Sequence, residues 1–227
     1  MQINPITRMD YPDPDVIRVE DTYYMISTTM HFYPGGVILR SYDLIHWEIA
    51  GYVYDKLDST PEQRLEGEKN SYGRGMWAAS LRFHNGKFYV CFGALETQKT
   101  YIYSAKEVEG PWERKELEGY YHDSSLLFDG DGRVYLVYGN REIKLVELKR
   151  DLSAVKEAGF KRTLAVDPDD VILGYEGSHL YHIGNKYYLF MIHWPKYGAN
   201  RRTEVCLMAD SLEGEFTGGT VLDDDMG

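Results

Sequence analysis

Three acidic residues recur at one position of an internal repeat in this 227-residue chain. Asp13, Asp123 and Glu176 each lie 11 or 12 residues before a tyrosine in a repeated strand motif. Acids that meet in a partly desolvated pocket repel one another, so at least one of them is expected to hold its proton more tightly. Glycoside hydrolysis requires such a pair, in which one carboxyl protonates the leaving oxygen and the other activates water. The spacing therefore predicts a glycosidase site. The alternative is three solvated acids in turns, where Asp is common.

The elements that must position these acids are four copies of a β-hairpin. Each copy joins an apolar strand to a tyrosine-containing strand through a short polar turn, and the copies cover residues 16–26, 81–91, 126–137 and 179–190. One tyrosine of each copy, Tyr24, Tyr89, Tyr135 or Tyr188, serves as a marker, and these marker tyrosines recur at intervals of 65, 46 and 53 residues. About 45 to 50 residues accommodate the four short strands of one propeller blade. No segment has the apolar spacing of a helix over three turns, so the sequence predicts an all-β fold.

The chain between and after these hairpins predicts about four blades. Segments 41–47 and 104–112 each hold a tryptophan after a polar run and are predicted to form outer strands. Segment 55–75 has no apolar periodicity and is predicted to be a solvated surface loop. Residues 221–227 have the character of a lead into a further segment, so a catalytic domain over 1–227 is predicted to be incomplete at its C-terminus.

Charge, hydropathy and cysteine usage argue against several classes of partner. The 25 basic and 36 acidic side chains give a net charge of −11, whereas a nucleic-acid partner needs a basic face. No apolar run of about 18 residues is present, so no membrane partner is expected. The N-terminus has no basic-then-apolar signal region, which predicts a cytoplasmic location. Cys91 and Cys206 lack metal-ligand spacing, and no metal or other cofactor is predicted.

Five short motifs, in order along the chain, resemble those of glycoside hydrolase family 43. They are Asn4-Pro5-Ile6 with Tyr11-Pro12-Asp13-Pro14-Asp15, Ser41-x-Asp43-Leu44-x-x-Trp47, Met76-Trp77-Ala78-Ala79-Ser80-Leu81, His122-Asp123-Ser124-Ser125-Leu126-Leu127-Phe128-Asp129 and Tyr175-Glu176-Gly177-Ser178-His179-Leu180-Tyr181. The resemblance implies a five-bladed β-propeller, of which this chain holds about four blades and lacks the fifth. It also implies an inverting hydrolase of the β-xylosidase, α-L-arabinofuranosidase or arabinanase type.

The resemblance assigns a role to each of the three acids. Asp13 corresponds to the general base, Asp123 to the residue that modulates and orients the acid, and Glu176 to the general acid. Prolines on both sides of Asp13 restrict the backbone and are expected to hold its carboxylate rigid. Asp15 stands where the family often has Ser, which places a fourth acid close to the base.

Aromatic and sulfur-containing side chains near the acids are the predicted sugar contacts. Met30, His31 and Phe32 follow the first-blade strand, where members of the family line the glycone pocket, and loop packing is the alternative. Trp77 offers a flat apolar face to sugar C–H groups. His193 follows a strand of the fourth blade, where it either lines the pocket rim or packs between blades.

The resulting functional hypothesis is inverting hydrolysis of β-xylosidic or α-L-arabinofuranosidic bonds in oligosaccharides from plant polysaccharides. The substrate is the one predicted partner, and whether the chain associates into a homo-oligomer is left open. A chain without its fifth blade is expected to be inactive by itself. The alternatives are an arabinanase-type specificity and a non-catalytic carbohydrate-binding propeller. A sialidase is disfavoured because the Ser-x-Asp-x-x-x-Trp motif lacks the glycine of that class.

Overall fold

The regular structure of the described part of this chain consists of strands alone. A computed structural model describes residues 4–167, 170–197 and 201–223. Within these residues there are sixteen strands and no helix, which confirms the all-β prediction. It follows that no described segment is a helix long and apolar enough to cross a membrane.

The strands form four antiparallel sheets of four, and each sheet is a simple meander in chain order. Two sheets belong to an amino-terminal unit, Met1–Tyr120, and two to a carboxy-terminal unit, Tyr121–Gly227. The first sheet contains β1 (Asp15–Val19), β2 (Thr22–Ser27), β3 (Gly35–Ser41) and β4 (Glu48–Tyr54). The second contains β5 (Met76–His84), β6 (Lys87–Ala94), β7 (Lys99–Ala105) and β8 (Glu113–Leu117). The third contains β9 (Ser125–Phe128), β10 (Val134–Tyr138), β11 (Glu142–Leu148) and β12 (Lys161–Val166). The fourth contains β13 (Val171–Ile183), β14 (Lys186–Pro195), β15 (Thr203–Ala209) and β16 (Thr217–Leu222).

The four predicted hairpins are the first two strands of the four sheets. Their pairing is β1 with β2, β5 with β6, β9 with β10 and β13 with β14. The β5–β6 turn shows why the sequence forms a hairpin there, since Asn85 and Gly86 both have positive φ, at 49° and 73°. Positive φ at both central residues matches the right-handed twist of the flanking strands.

Burial decreases from the two middle strands of each sheet, which are its inner strands, to its fourth strand. Strand β10 is buried at four of its five residues, whereas every residue of β16 is exposed. The amino-terminal core is rich in aromatic side chains, among them the fully buried Phe92 and Tyr101. The carboxy-terminal core is built around Tyr135 and Leu189, which are also fully buried. Inner strands are buried on both faces, and this explains the near-continuous apolar runs by which they were recognised in the sequence.

Two sequence expectations about the connections need correction. Segments 41–47 and 104–112 are not outer strands, because they form the turns that lead from β3 to β4 and from β7 to β8. Segment 55–75 joins β4 to β5 without regular structure, as predicted, but it is not wholly solvated. Its Leu57 is 1% exposed and belongs to the amino-terminal core, which anchors the loop.

Candidate active site

The predicted acids lie where the chain enters the first strand of a sheet. At this entry each sheet has one residue with positive φ. In every sheet the residue two positions after it pairs with the residue that lies two positions after the marker tyrosine of the second strand. These residues are Asp13 (49°), Ala78 (39°), Asp123 (44°) and Gly177 (62°). Glu176 therefore lies one residue upstream of the position that the two aspartates share. The sequence prediction of one common address holds for the aspartates and is wrong by one residue for the glutamate.

Asp13 is held in the left-handed region by hydrogen bonds on the residue before it. The Pro12 carbonyl accepts from the Ser27 hydroxyl at 2.6 Å and from the Thr28 backbone N–H at 3.0 Å. A non-glycine residue at positive φ is uncommon and persists only where its surroundings over-determine it. Two hydrogen bonds thus anchor the residue before Asp13, and the rigidity of the Asp13 carboxylate stays a prediction.

The Asp13 carboxylate itself receives one side-chain donor. The Thr28 hydroxyl donates to Asp13 Oδ2 at 2.7 Å, and the Ala78 backbone N–H donates to the same hydroxyl oxygen at 2.8 Å. Thr28 is 5% exposed, whereas Asp13 is exposed. The carboxylate thus faces solvent with one oxygen engaged.

Asp15 is separated from this chemistry by its own partners. Its Oδ2 accepts from the Leu81 backbone N–H at 2.7 Å and from Arg82 Nη1 at 2.8 Å. The side chains of Asp15 and Arg82 are 7% and 10% exposed. This buried ion pair joins β1 to β5, and removal of one partner would leave an uncompensated charge. The fourth acid near the base therefore has a structural role.

His31 and Phe32, which follow Thr28 in the chain, form an aromatic surface together with Tyr72. The ring centroids of His31 and Phe32 are 4.3 Å apart, and the Tyr72 ring contacts His31 edge-on at 4.9 Å. Phe32 is 64% exposed and Tyr72 is 61% exposed. His31 Nδ1 accepts the Gly73 N–H at 3.1 Å, and since a backbone N–H can only donate, the neutral imidazole carries its proton on Nε2. Two open ring faces around one N–H donor suit a sugar, which presents both C–H groups and hydroxyls.

Met30 and Trp77 fasten the two segments that carry this aromatic surface. The backbones of Met30 and Met76 exchange hydrogen bonds of 2.9 Å in both directions, and Trp77 Nε1 donates to the Gly73 carbonyl at 3.2 Å. A Cβ at Gly75 would lie 1.9 Å from the Met30 carbonyl oxygen, so glycine is required there. Met30 and Trp77, both predicted sugar contacts, thus hold together the two segments that carry the aromatic surface.

Glu176 is fixed through one of its two carboxyl oxygens. Its Oε2 accepts from Asn140 Nδ2 at 2.5 Å and lies 3.1 Å from His122 Nε2. The Glu176 side chain is 16% exposed. Among the described residues no hydrogen bond reaches Oε1. Oε1 is therefore the oxygen that can hold a proton for a substrate.

Asp123 approaches the same ring nitrogen of His122 as Glu176 does. Asp123 Oδ2 accepts the Gly177 N–H at 3.2 Å and lies 3.5 Å from His122 Nε2, with its side chain 13% exposed. The hydrogen bond to Glu176 raises the pKa of His122, and the negative charges of Asp123 and Glu176 add to this against the opposing effect of burial. In the carboxy-terminal unit the structure thus brings together two predicted site residues and a histidine that was noted only as part of a motif.

These three side chains are also the described residues with the donor set of a metal site. One ligand atom each from His122, Asp123 and Glu176 lies within 4.8 Å of the others. Nitrogen and carboxylate oxygen donors suit several divalent cations. The Asn140 amide already occupies Glu176 Oε2, so a cation there would have to compete with that hydrogen bond.

His193 lies in a buried cluster of the carboxy-terminal unit. It is 6% exposed, its ring meets Tyr175 edge-on at 5.0 Å, and its Nε2 is 3.4 Å from Asp167 Oδ1. Asp167 Oδ2 also accepts the Tyr175 N–H at 3.1 Å. A sugar contact by His193 stays a prediction, and the burial of its ring favours the packing alternative. Beside the cluster, Asn140 and Asp167 help line an open depression of about 440 Å³.

Sequence reasoning missed three residues that hold or extend this site. Thr28 was given no role, because it lies 15 residues from Asp13 in the chain and meets it only through strand pairing. Asn140 follows the last residues of β10 in a short polar turn and gave no signal of its own. Tyr72 belongs to the segment interpreted as solvated loop, where an exposed aromatic beside glycines was the available clue.

Aspartates at the strand entries of both units, a partly buried glutamate and exposed aromatic rings are side chains of the kinds that glycoside hydrolysis requires. The model of glycosyl hydrolases family 43 matches residues 3–212, and the chain belongs to that family. The predicted fold class, an all-β propeller with four blades in this chain, is confirmed by this membership together with the four meander sheets.

Two named sequence relatives and one solved structure support the assignment to this family. A β-xylosidase of Formosa agariphila is 28% identical over 97% of this chain and 41% of its own length. A non-reducing end α-L-arabinofuranosidase of Bacteroides ovatus is 31% identical over 82% of this chain and 35% of its own. The solved structure of a bifunctional GH43-CE protein of Bacteroides eggerthii superimposes with a TM-score of 0.92 at 45% identity, covering 97% of this chain and 29% of that one. The chain thus spans less than half the length of each of these relatives.

Proposed function

We propose that this chain carries the catalytic acids of an inverting glycoside hydrolase that releases xylose or arabinofuranose from plant-derived oligosaccharides. The observation that carries the proposal is the different setting of the two acting carboxyls in a family 43 chain. Asp13 is exposed and accepts the Thr28 hydroxyl at Oδ2, whereas the Glu176 side chain is 16% exposed and, among the described residues, accepts hydrogen bonds at Oε2 alone. An exposed carboxylate suits the base, and a partly buried carboxyl suits the acid.

The proposed reaction moves two protons. Asp13 removes a proton from water as the water oxygen bonds to the anomeric carbon. Glu176 donates its Oε1 proton to the leaving oxygen as the glycosidic C–O bond breaks. The cycle ends with Asp13 protonated and Glu176 ionised, and exchange with solvent restores both. Asp123 orients Glu176 through His122, whose Nε2 lies 3.5 Å from Asp123 Oδ2 and 3.1 Å from Glu176 Oε2.

Inversion requires a space for water between the two acting carboxyls. We therefore expect the carboxyl groups of Asp13 and Glu176 to be about 6.5–9.5 Å apart in a crystal structure. A separation near 5 Å would indicate retention, and one beyond roughly 15 Å would end the catalytic interpretation.

The names of the relatives support a pentose substrate, since they include a β-xylosidase and an α-L-arabinofuranosidase. Both nitrophenyl β-xyloside and nitrophenyl α-L-arabinofuranoside should be offered to the chain, with the first-formed anomer identified by proton NMR. Inversion predicts α-xylose or β-arabinose. Hydrolysis of neither substrate by the 227 residues or by a longer chain that includes a fifth blade, together with binding of xylo-oligosaccharides, would favour the alternative of a non-catalytic carbohydrate-binding propeller.

The domain boundary stays a proposal beside this function. We propose that a fifth blade completes the ring and that the 227 residues alone are less active than a longer chain. Strong hydrolysis by the 227 residues would contradict that part and leave the assignment of the acids intact.

A further inference from the structure

The hydroxyl of Thr28 has a direction that its partners determine. The Ala78 N–H can only donate to Thr28 Oγ1, and an ionised Asp13 carboxylate can only accept. A threonine hydroxyl has a single hydrogen, so that hydrogen must point to Asp13 Oδ2. The order of donation therefore runs from the Ala78 backbone through Thr28 to Asp13, without any ambiguity about hydrogen positions.

The carboxy-terminal unit has the same connection without the hydroxyl. There the Gly177 N–H, which corresponds to that of Ala78 in its sheet, donates directly to Asp123 Oδ2 at 3.2 Å. The residue that corresponds to Thr28, four positions after the marker tyrosine, is Gly139. The backbone N–H of the following sheet thus supports the aspartate in both units. In the amino-terminal unit a side chain is inserted into that connection.

We propose that Thr28 is a positioning residue for the general base, an inference that rests on the proposed function of Asp13. By engaging Oδ2, the hydroxyl fixes the plane of the carboxylate and directs Oδ1 to the attacking water. Thr28 itself touches neither water nor substrate in this account.

The first test compares Thr28→Val, which keeps the side-chain shape but removes the hydroxyl, with Thr28→Ser, which keeps the hydroxyl. The matched control is Thr29→Val, because the Thr29 hydroxyl accepts the Gly36 N–H at 2.9 Å and contacts no carboxylate. We expect the valine variant at Thr28 to lose about ten- to a hundredfold in kcat, with KM nearly unchanged. Thr28→Ser should restore kcat, and Thr29→Val should leave kcat and KM nearly unchanged.

A second readout needs no turnover, so it separates failure of this inference from failure of the proposed function. Crystal structures of the 227-residue chain should show Asp13 in one side-chain conformer in the native and Thr28→Ser forms. They should show it distributed over several conformers in Thr28→Val. Should the valine variant not fold, Thr28→Cys serves the same purpose, since a thiol is a weak donor. An unchanged Asp13 conformer in the variant without the hydroxyl would overturn the proposal, even if the native chain hydrolyses glycosides.

Discussion

The two units hold repeat-related carboxylates in contrasting surroundings. In the amino-terminal unit Asp13 is exposed and receives a hydroxyl donor. In the carboxy-terminal unit the side chains of Asp123 and Glu176 are 13% and 16% exposed and share contacts with one histidine. Burial disfavours the charged form of a carboxyl, whereas solvent and donated hydrogen bonds favour it. The same structural position in a repeat can thus supply a base in one unit and the support of an acid in the other.

The contrast depends on single-residue differences at repeat-related sites. Thr28 corresponds to Gly139, and the glycine lets the amide of Gly177 approach Asp123 directly. The glutamate lies one residue before the left-handed position, where its longer side chain meets the amide of Asn140. A propeller blade can therefore change the chemistry of its entry without changing its strands.

The largest effects are expected from neutralising the two acting carboxyls separately. Asp13→Asn should reduce hydrolysis by about 10²–10⁴-fold on every substrate, because no group then activates water. Glu176→Gln should cause a loss of that size only on xylobiose or other substrates with poor leaving groups. Activated nitrophenyl glycosides need little protonation and should retain much of their rate. Equal losses on both kinds of substrate in Glu176→Gln would contradict the division of roles between the units.

Much of this arrangement was predictable from the sequence because it depends on local rules. Turn pairs such as Asn85-Gly86 and the recurrent tyrosines identified all four hairpins, and the spacing identified the acids. The position of Glu176 was predicted one residue wrong. The hairpin of the third sheet has one more turn residue than the others, so Asp123 lies 12 residues before Tyr135, and the same count of 12 before Tyr188 made Glu176 look equivalent to it. The partners Thr28 and Asn140 could not be predicted, since they reach their acids through tertiary pairing that no local pattern encodes.

A smaller effect should come from the aromatic surface of the amino-terminal unit. Tyr72→Ala removes an exposed ring that contacts His31 edge-on, so it should raise KM for xylo-oligosaccharides by several-fold and leave kcat nearly unchanged. The matched control is Tyr42→Ala, because Tyr42 is 65% exposed and lies in the β3–β4 turn. Initial rates over a range of substrate concentrations decide the question. A KM that does not change would place the sugar away from Tyr72 and restore the interpretation of segment 55–75 as a loop without a binding role.

The smallest effect concerns the stability of the carboxy-terminal unit as a function of pH. The pKa of His122 is raised by its hydrogen bond to Glu176. A group with a raised folded-state pKa contributes stability that is fully present below its unfolded pKa, about 6.5, and is lost as pH rises through the folded value. His122→Gln should therefore lower the free energy of unfolding most at pH 5.5–6.5 and progressively less towards pH 8.5. Since the His122 side chain is 36% exposed, the difference should stay below about 1 kcal/mol. Denaturant titrations at several pH values measure it, with His46→Gln in the amino-terminal unit as control, because its ion pair with Asp43 involves an imidazole that is 86% exposed. A pH-independent loss in His122→Gln would show that the histidine acts through packing rather than through its charge beside Glu176.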